Sequence, residues 1–313
     1  MESFQLSFAI VSPMFLMLAA GFGLRQFAVL KAEEFNTLNT LSFRLLLPLS
    51  LFSSIYNGQD LSLVNMRLIV WALLFQILIL ILLFAVVPRL FPAAPVRASI
   101  IQACFRSNFI TFGIVIAGEF CSSKELAVVF VLAGILIPLY NVGGVSILEY
   151  YRGGSLSWKR LIGQIIRNPF VISCAAALFL ITSEIRLPVC MEDAVQRLSD
   201  CSTPISFVAL GGCLNLGSVR DYWKELFFGV LYRLIVQPAI FLGLALFLGF
   251  RGVEFLALTV MLISPTAVAT YNMARNMGAD GELAGYLVVF QSLGSMVSIF
   301  FWIYILSRAG LIG

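Results

Sequence analysis

The chain contains no histidine, and charged residues make up only 12% of its 313 residues. Without histidine, the Ser–His and Cys–His pairs of hydrolytic enzymes cannot form, and the commonest metal ligand is missing. The six cysteines show no Cys-x-x-Cys spacing, so zinc or iron–sulfur ligation is not expected. We therefore predict a protein that is not an enzyme and that carries no cofactor.

Apolar residues take the place of the missing charges. They make up 60% of the chain, whereas soluble domains are nearer half apolar and a quarter charged. This composition predicts an all-α integral membrane protein surrounded by lipid. A crossing helix needs roughly 20 apolar residues, so at about 30 residues per crossing and turn the chain has room for about ten. The net charge of +4 gives no reason to expect nucleic acid binding.

The apolar segments predict ten spanning helices in two groups of five. Residues 1–150 hold the first five, residues 151–167 form a polar linker, and residues 168–313 hold the second five. The predicted spans are 5–27, 36–56, 67–87, 98–118, 125–147, 168–183, 195–215, 223–249, 255–275 and 283–306.

Loop charges predict the orientation, because Lys and Arg collect on the cytoplasmic side. With the N-terminus outside, the cytoplasmic loops hold eleven such residues and the outer loops six. Both termini are therefore predicted on the outer side. The cytoplasmic set is Arg25, Lys31, Arg89, Arg97, Arg152, Lys159, Arg160, Arg167, Arg220, Lys224 and Arg275, and the outer set is Arg67, Lys124, Arg186, Arg197, Arg251 and Arg308.

The two halves share short sequence matches at nearly constant spacing. Ser107 precedes a Glu-Leu-Ala tripeptide by 18 residues, and Ser264 precedes a second one by the same 18, an offset of 157. A Pro-x-Ser tripeptide recurs at 48–50 and 204–206, an offset of 156. Because each half has an odd number of spans, the second copy is expected upside down in the membrane, the inverted-repeat plan of secondary transporters.

A proline interrupts the ninth span. Pro265 removes a backbone hydrogen bond and clashes with the preceding turn, at a cost of about 3 kcal/mol in a helix. In lipid such a break persists only where it is buried or lines a cavity. Thr266 and Asn272 add polar groups after the break. We interpret the break as half of a substrate site, whose positive helix ends hold an anion.

The fourth span carries the matching feature. Its sequence FRSNFITFG places Arg106, Ser107 and Asn108 at mid-membrane, with Gly113 to loosen the helix. Broken helices at equivalent places in inverted halves usually meet near the bilayer centre. The alternative is that both breaks serve packing alone, since Pro and Gly are common in membrane helices.

Three arginines lie well within the predicted spans, and a charge there is a functional candidate by default. Arg106 is predicted to face a substrate carboxylate; the alternatives are that it snorkels or binds carbonyls freed by the break. Structural roles are expected for Arg44 and Arg233. No Asp or Glu lies securely at mid-membrane. The substrate is therefore predicted to be a small anion, and the coupling ion, H⁺ or Na⁺, stays open.

Four segments resemble the auxin efflux carrier family, which includes plant PIN carriers and bacterial permeases described as malonate or malate transporters. The segments are RSNFITFGI in the fourth span, LYNVGGVSILEYYR closing the fifth, NPFVISCAAALFL opening the sixth and SPTAVATYNMARNMGADGELA in the ninth. The resemblance implies ten helices in two inverted repeats. Helices 1, 2, 6 and 7 would form a scaffold, through which a homodimer is expected. Helices 3–5 and 8–10 would form a transport domain that moves in an elevator-like cycle.

By motif position, the resemblance assigns Asn108 and Pro265 to the crossing of the fourth and ninth helices, and Ser50 and Asn141 to the substrate pocket. Family members commonly carry a proline where this chain has Val115, so the first break is expected to be softer. The long cytoplasmic loop of plant carriers is missing. The expected function is therefore transport of small organic carboxylates across a bacterial inner membrane.

Other readings stay open at this stage. A channel or receptor could use the same fold, and a sodium-coupled bile-acid-type symporter shares a similar architecture. Such a symporter is expected to place several acidic ligands around the crossing, and this chain shows few. Cys190 and Cys201 flank one predicted outer loop, and a disulfide between them is a further open alternative.

Overall fold

The computed structural model describes residues 2–57, 65–153, 163, 167, 169–214 and 216–312, which are helical with short connections. Most of the predicted linker 151–167, including Lys159 and Arg160, lies outside the described residues, as do residues 168 and 215 at the ends of two predicted spans. The α-helices are α1 Glu2–Gln26, α2 Ala32–Leu41, α3 Leu47–Tyr56, α4 Met66–Leu90, α5 Ala94–Phe105, α6 Val115–Gly118, α7 Ser123–Arg152, α8 Pro169–Thr182, α9 Val189–Asp200, α10 Ser202–Cys213, α11 Trp223–Leu231, α12 Gln237–Phe247, α13 Gly252–Ile263, α14 Ala269–Asn276 and α15 Gly281–Arg308.

Wider or tighter turns extend several of these helices. The π-helical turn Ser42–Leu46 joins α2 to α3, and Tyr232–Val236 joins α11 to α12. Phe109–Ile114 is a third π-helical turn and leads into α6, while the 3₁₀ segment Leu216–Tyr222 leads into α11. The predicted second and eighth spans therefore start later in the sequence than the observed helical segments. The reason is that polar residues, which a hydropathy criterion leaves out, form the first turns of these segments.

Helix α4 shows why the fold needs a membrane. One face is buried against the protein, at Leu68, Ala72, Phe75, Gln76, Ile79, Leu83 and Val87. The opposite face is equally apolar yet exposed, at Met66, Val70, Leu74, Ile77, Leu78, Ile81, Leu82, Val86 and Leu90. A helix that is apolar all round and still exposed on one side belongs in lipid rather than in water.

Four of the described helices are long and apolar enough to cross a membrane. They are Met66–Leu90, Val131–Arg152, Ser218–Phe247 and Gly281–Arg308. The 25 residues of α4 span about 37 Å at 1.5 Å per residue, which exceeds the roughly 30 Å of hydrocarbon. The prediction of an all-α integral membrane protein is confirmed at this level.

Helices α1 and α10 pack with their backbones in close contact. A Cβ atom at Gly21 would lie 2.0 Å from the Val208 carbonyl oxygen, and one at Gly211 would lie 2.0 Å from that of Leu18. Glycine on both sides lets the two backbones approach, as at small-residue interfaces of membrane helices. The pair ties the N-terminal helix to the second half of the chain.

The disulfide considered for Cys190 and Cys201 is absent, because both cysteines are free and exposed. Cys190 lies at the start of α9 and Cys201 directly follows that helix. Eleven residues along a helix separate them by about 16 Å. A disulfide needs Cα atoms within about 7 Å.

Replacing Gly21 with alanine is expected to destabilise the protein by about 1–3 kcal/mol, because the new methyl group would overlap a backbone oxygen that cannot rotate away. Gly23→Ala, on the same helix, is the matched control. A Cβ at Gly23 meets only the edge of Phe27 at 4.0 Å, so this variant is expected to be neutral or slightly stabilising. Thermal unfolding of the two variants in detergent checks the difference. Equal melting temperatures would contradict the close contact.

Candidate substrate site at the helix crossing

Two helices stop abruptly and meet where they stop. α5 and α13 each have 12 residues and are followed by an extended residue, Arg106 with ψ 135° and Ser264 with ψ 137°. The Asn108 amide then donates a 2.8 Å hydrogen bond to the Pro265 carbonyl. The two breaks are therefore joined backbone to backbone.

The first break forms without a proline. After Asn108 the chain enters the π-helical turn Phe109–Ile114 before α6 begins at Val115. The ring of Phe109 lies against Gly113, where an added Cβ would come within 2.5 Å of Phe109 Cδ2. The first break is therefore formed by a wide turn in a segment without proline.

Arg233 fills the space at the C-terminal ends of the two stopped helices. Its side chain is fully buried. Its guanidinium donates to the Ser264 carbonyl at 2.6 and 3.0 Å and to the Cys104 and Met261 carbonyls at 3.3 Å. Helix C-termini carry partial negative charge and leave carbonyls without partners. Arg233 therefore supplies the donors and the positive charge that this end of the crossing needs.

Gln237, one helical turn after Arg233, completes this arrangement. With its amide oriented to satisfy both neighbours, Gln237 donates to the Cys104 carbonyl at 2.9 Å and accepts from Arg233 Nη1 at 2.6 Å. The sequence prediction gave Arg233 a structural role and left carbonyl binding as an alternative for Arg106. In the structure, Arg233 is the arginine that binds these carbonyls.

A cavity of about 130 Å³ lies on the other side of the crossing, where the chain resumes a helix after each break. The cavity therefore faces N-terminal helix ends. It is bordered by Asn108 and Phe109, where the π-helical turn starts, and by residues 267–269, where α14 starts. First-turn N–H groups and the positive end of the helix dipole favour anions at such places. The crossing thus separates its charges, with Arg233 at the negative ends and the cavity at the positive ends.

Five of the eight predicted site residues line this cavity. They are Ser50, Arg106, Ser107, Asn108 and Asn141.

Arg106 is held by uncharged neighbours within this lining. It is 7% exposed, and its Nη2 donates to Asn141 Oδ1 at 3.1 Å while Nη1 lies 3.2 Å from Met273 Sδ. The Asn141 side chain is fixed in turn, since its Nδ2 donates to the Ile137 carbonyl at 2.8 Å. Ser107 Oγ donates to the Met261 carbonyl at 2.9 Å, which links the cavity to the region around Arg233. The guanidinium is thus positioned before any ligand enters.

Pro265, Thr266 and Asn272 do not border the cavity. The Pro265 carbonyl accepts the hydrogen bond from Asn108. The Thr266 amide donates to Gln291 Oε1 at 3.1 Å, and Asn272 donates to a carbonyl of its own helix at 3.3 Å. Asn108 and Gln291 thus supply the hydrogen-bond partners that the broken helix does not give to the backbone of Pro265 and Thr266.

Several lining residues escaped the sequence analysis. They are Leu47, Leu51, Phe109, Ile137, Tyr140, Phe170, Ser202, Thr203 and residues 267–269. Tyr140 and Thr203 stand next to quoted motif residues, Asn141 and the Pro-x-Ser tripeptide at 204–206, so adjacency was a usable signal. The apolar lining residues gave no usable signal in the sequence. An apolar residue in a spanning helix can line a cavity, lie in the core or face lipid, and the sequence does not distinguish these positions.

The chain is similar to known membrane transport proteins. Residues 155–303 match the model of the family described as "Membrane transport protein". A relative from Methanothermobacter thermautotrophicus, described as an uncharacterized transporter, is 23% identical over 292 residues, covering 91% of this chain and 94% of the relative. The resemblance to auxin efflux carriers is thereby confirmed, and the chain is a membrane transporter.

The family match covers only one of the two breaks of this transporter. It includes Arg233 and Pro265, whereas the first break, around Asn108, lies before residue 155. The relative's 292 aligned residues are more than either half of the chain holds, so that alignment extends over both.

Replacing Arg233 with leucine is expected to destabilise the transporter. The Cys104 and Met261 carbonyls keep other donors, Gln237 and Ser107, but the Ser264 carbonyl loses its guanidinium. A buried carbonyl left without a partner costs about 1–3 kcal/mol. Arg44→Leu is the matched control, since Arg44 lies in another π-helical turn and is exposed. The melting temperature should fall for Arg233→Leu and stay unchanged for Arg44→Leu. An equal fall in both variants would contradict the role of Arg233.

Proposed function

We propose that this protein is a secondary active transporter of small organic carboxylate anions of the malonate or malate type. The observation that carries the proposal is a preformed cavity in which Arg106 lies at the positive ends of two broken helices. Of the described residues that line it, Arg106 alone is charged. An arginine can bind a carboxylate with two parallel hydrogen bonds. The site therefore suits a carboxylate better than a cation.

The size of the cavity favours a short acid. At about 130 Å³ it has room for a small molecule only. Ser50, Ser107, Asn108 and Asn141 add polar side chains around the single guanidinium. A dicarboxylate of three or four carbons suits this combination, with one carboxylate on Arg106 and the other near the hydroxyl and amide groups. Indole-3-acetate would need room for an aromatic bicycle.

The position of the cavity supports an elevator mechanism. One wall comes from α3, α8 and α10, which belong to the proposed scaffold, through Ser50, Phe170 and Ser202. The other wall comes from the proposed transport domain, which carries Arg106 and Asn141. A substrate held mainly by the second wall would be carried past the first when the two move relative to each other. Dimerisation through the scaffold and the outer position of both termini remain predictions.

Paired features of the two halves support the proposed inverted repeat. α5 and α13 have equal lengths and end in the same backbone conformation at an offset of 158 residues. Contacts between the two halves are paired as well. The first helix of the chain, α1, packs on α10, and α3 packs on α8. An inverted repeat of five spans would exchange these two contacts.

Uptake into proteoliposomes tests the function. Radiolabelled malonate, malate and indole-3-acetate would be supplied with a proton gradient, a sodium gradient or neither. We expect saturable uptake of a dicarboxylate and little uptake of indole-3-acetate, and the effective gradient identifies the coupling ion. Flux that does not saturate would indicate a channel. No uptake of any acid by folded protein would contradict the proposal.

Arg106→Gln is expected to raise KM for the transported acid about tenfold or more, since a hydrogen bond to a charged group contributes about 1.5–3 kcal/mol. Arg106→Lys keeps the charge but loses the paired geometry, and an intermediate KM is expected. Arg44→Gln, which removes an exposed arginine of α2–α3, is the control. Transport kinetics of the three variants, at matched amounts of inserted protein, provide the measurement. A normal KM for Arg106→Gln would refute the assigned role.

A further inference from the structure

A long apolar groove runs along the outside of the protein between α11 and α15. It encloses about 670 Å³, far more than the crossing cavity. Its described lining is almost wholly apolar. The lining residues are Val219, Arg220, Trp223, Leu226, Phe227, Val230, Leu231, Leu234, Ile235, Phe290, Gly294, Val297, Ser298 and Phe301.

Glycine at position 294 lets α15 approach the residues of the facing helix closely along this groove. A Cβ at Gly294 would come within 2.8 Å of Leu234 Cδ1 and 3.5 Å of Val230 Cγ1. The helices are held at this distance by the Trp302 indole, which donates to the Leu234 carbonyl at 2.8 Å. The groove is therefore a fixed part of the fold rather than a loosely packed surface.

The dimensions of the groove correspond to one leaflet of a bilayer. From Arg220 to Ile235 the helix rises about 22 Å at 1.5 Å per residue. Half of the hydrocarbon core is about 15 Å deep. The groove thus reaches from the headgroup level into the middle of the membrane, the path of a single acyl chain. A chain in the groove contacts protein on two sides, so it gains more dispersion contact than a chain on a flat surface.

The only charged group in the described lining lies at one end of the groove. Arg220 borders it there, and Trp223 stands beside it with 61% of its surface exposed. Asp221 and Glu225 lie on the same segment but do not border the groove. An arginine and a tryptophan at the end of an apolar helix are typical of the membrane interface, and arginine binds phosphate with matched geometry. The end of the groove is therefore complementary to an anionic headgroup.

We propose that this groove binds one anionic phospholipid, with an acyl chain along α11 and α15 and the phosphate at Arg220. This site is separate from the crossing cavity and does not depend on which substrate is transported. The lipid completes the surface of the α11–α15 pair, which otherwise leaves the groove open to the bilayer.

Native mass spectrometry of the delipidated protein, titrated with phosphatidylglycerol or with phosphatidylcholine of the same chains, tests the proposal. We expect one phosphatidylglycerol to be retained per chain, in preference to phosphatidylcholine. Val297→Trp fills the groove from an exposed position and should abolish that retention. Ile305→Trp is the matched control, because Ile305 lies on the same helix with similar exposure, 51% against 54%, but does not border the groove.

Arg220→Gln tests the headgroup contact separately. It should weaken phosphatidylglycerol retention about fivefold and leave phosphatidylcholine unchanged, as expected for one arginine near the membrane surface. Lys224→Gln is the control, since Lys224 lies over the Trp223 ring, 5.7 Å from its centroid, and does not border the groove.

Three results would overturn the proposal. Unchanged retention in Val297→Trp would place the lipid elsewhere. Equal losses in Arg220→Gln and Lys224→Gln would reduce the headgroup contact to general surface charge. A change of oligomeric state in Val297→Trp, with no lipid retained by the wild type, would make the groove a contact between copies of the chain.

Discussion

The buried guanidinium of Arg233 is the interaction on which the crossing depends. Two helices that stop inside a membrane expose carbonyls where no water can reach them. Arg233 donates to carbonyls at the C-terminal ends of both helices. The Asn108–Pro265 hydrogen bond joins the two segments that follow these helices. A fully buried cation would otherwise be costly. Here the partial negative charge of the helix ends stabilises the buried guanidinium. The guanidinium in turn supplies hydrogen bonds to carbonyls at those ends.

The separation of charge at the crossing follows from this arrangement. Arg233 neutralises the C-terminal ends, so the positive N-terminal ends remain to set the potential of the cavity. Arg106 adds a formal positive charge there, held by Asn141 and Met273, which are uncharged. An anion entering the cavity therefore meets groups that are already oriented. The proposed preference for a carboxylate rests on the backbone of two broken helices as much as on one side chain.

Sequence patterns predicted the parts of this fold that depend on hydropathy and on local chemistry. The membrane class follows from composition, and the two breaks follow from Pro265 and from polar residues around Asn108 that a continuous apolar span does not contain. The partners across the crossing could not be predicted in the same way. Arg233 meets Ser264 only because α11–α12 packs beside α13, and Thr266 turns to Gln291 rather than to the cavity. Such contacts depend on tertiary packing, which no local pattern specifies.

A structure determined with the proposed dicarboxylate substrate bound tests the central claim most directly. The account predicts a carboxylate within hydrogen-bonding distance of Arg106, between Asn108 and the start of α14, with the contacts of Arg233 unchanged. An acid bound instead in the separate polar cavity lined by Arg25 and Arg275 would contradict it. So would an acid at the crossing whose carboxylates avoid Arg106.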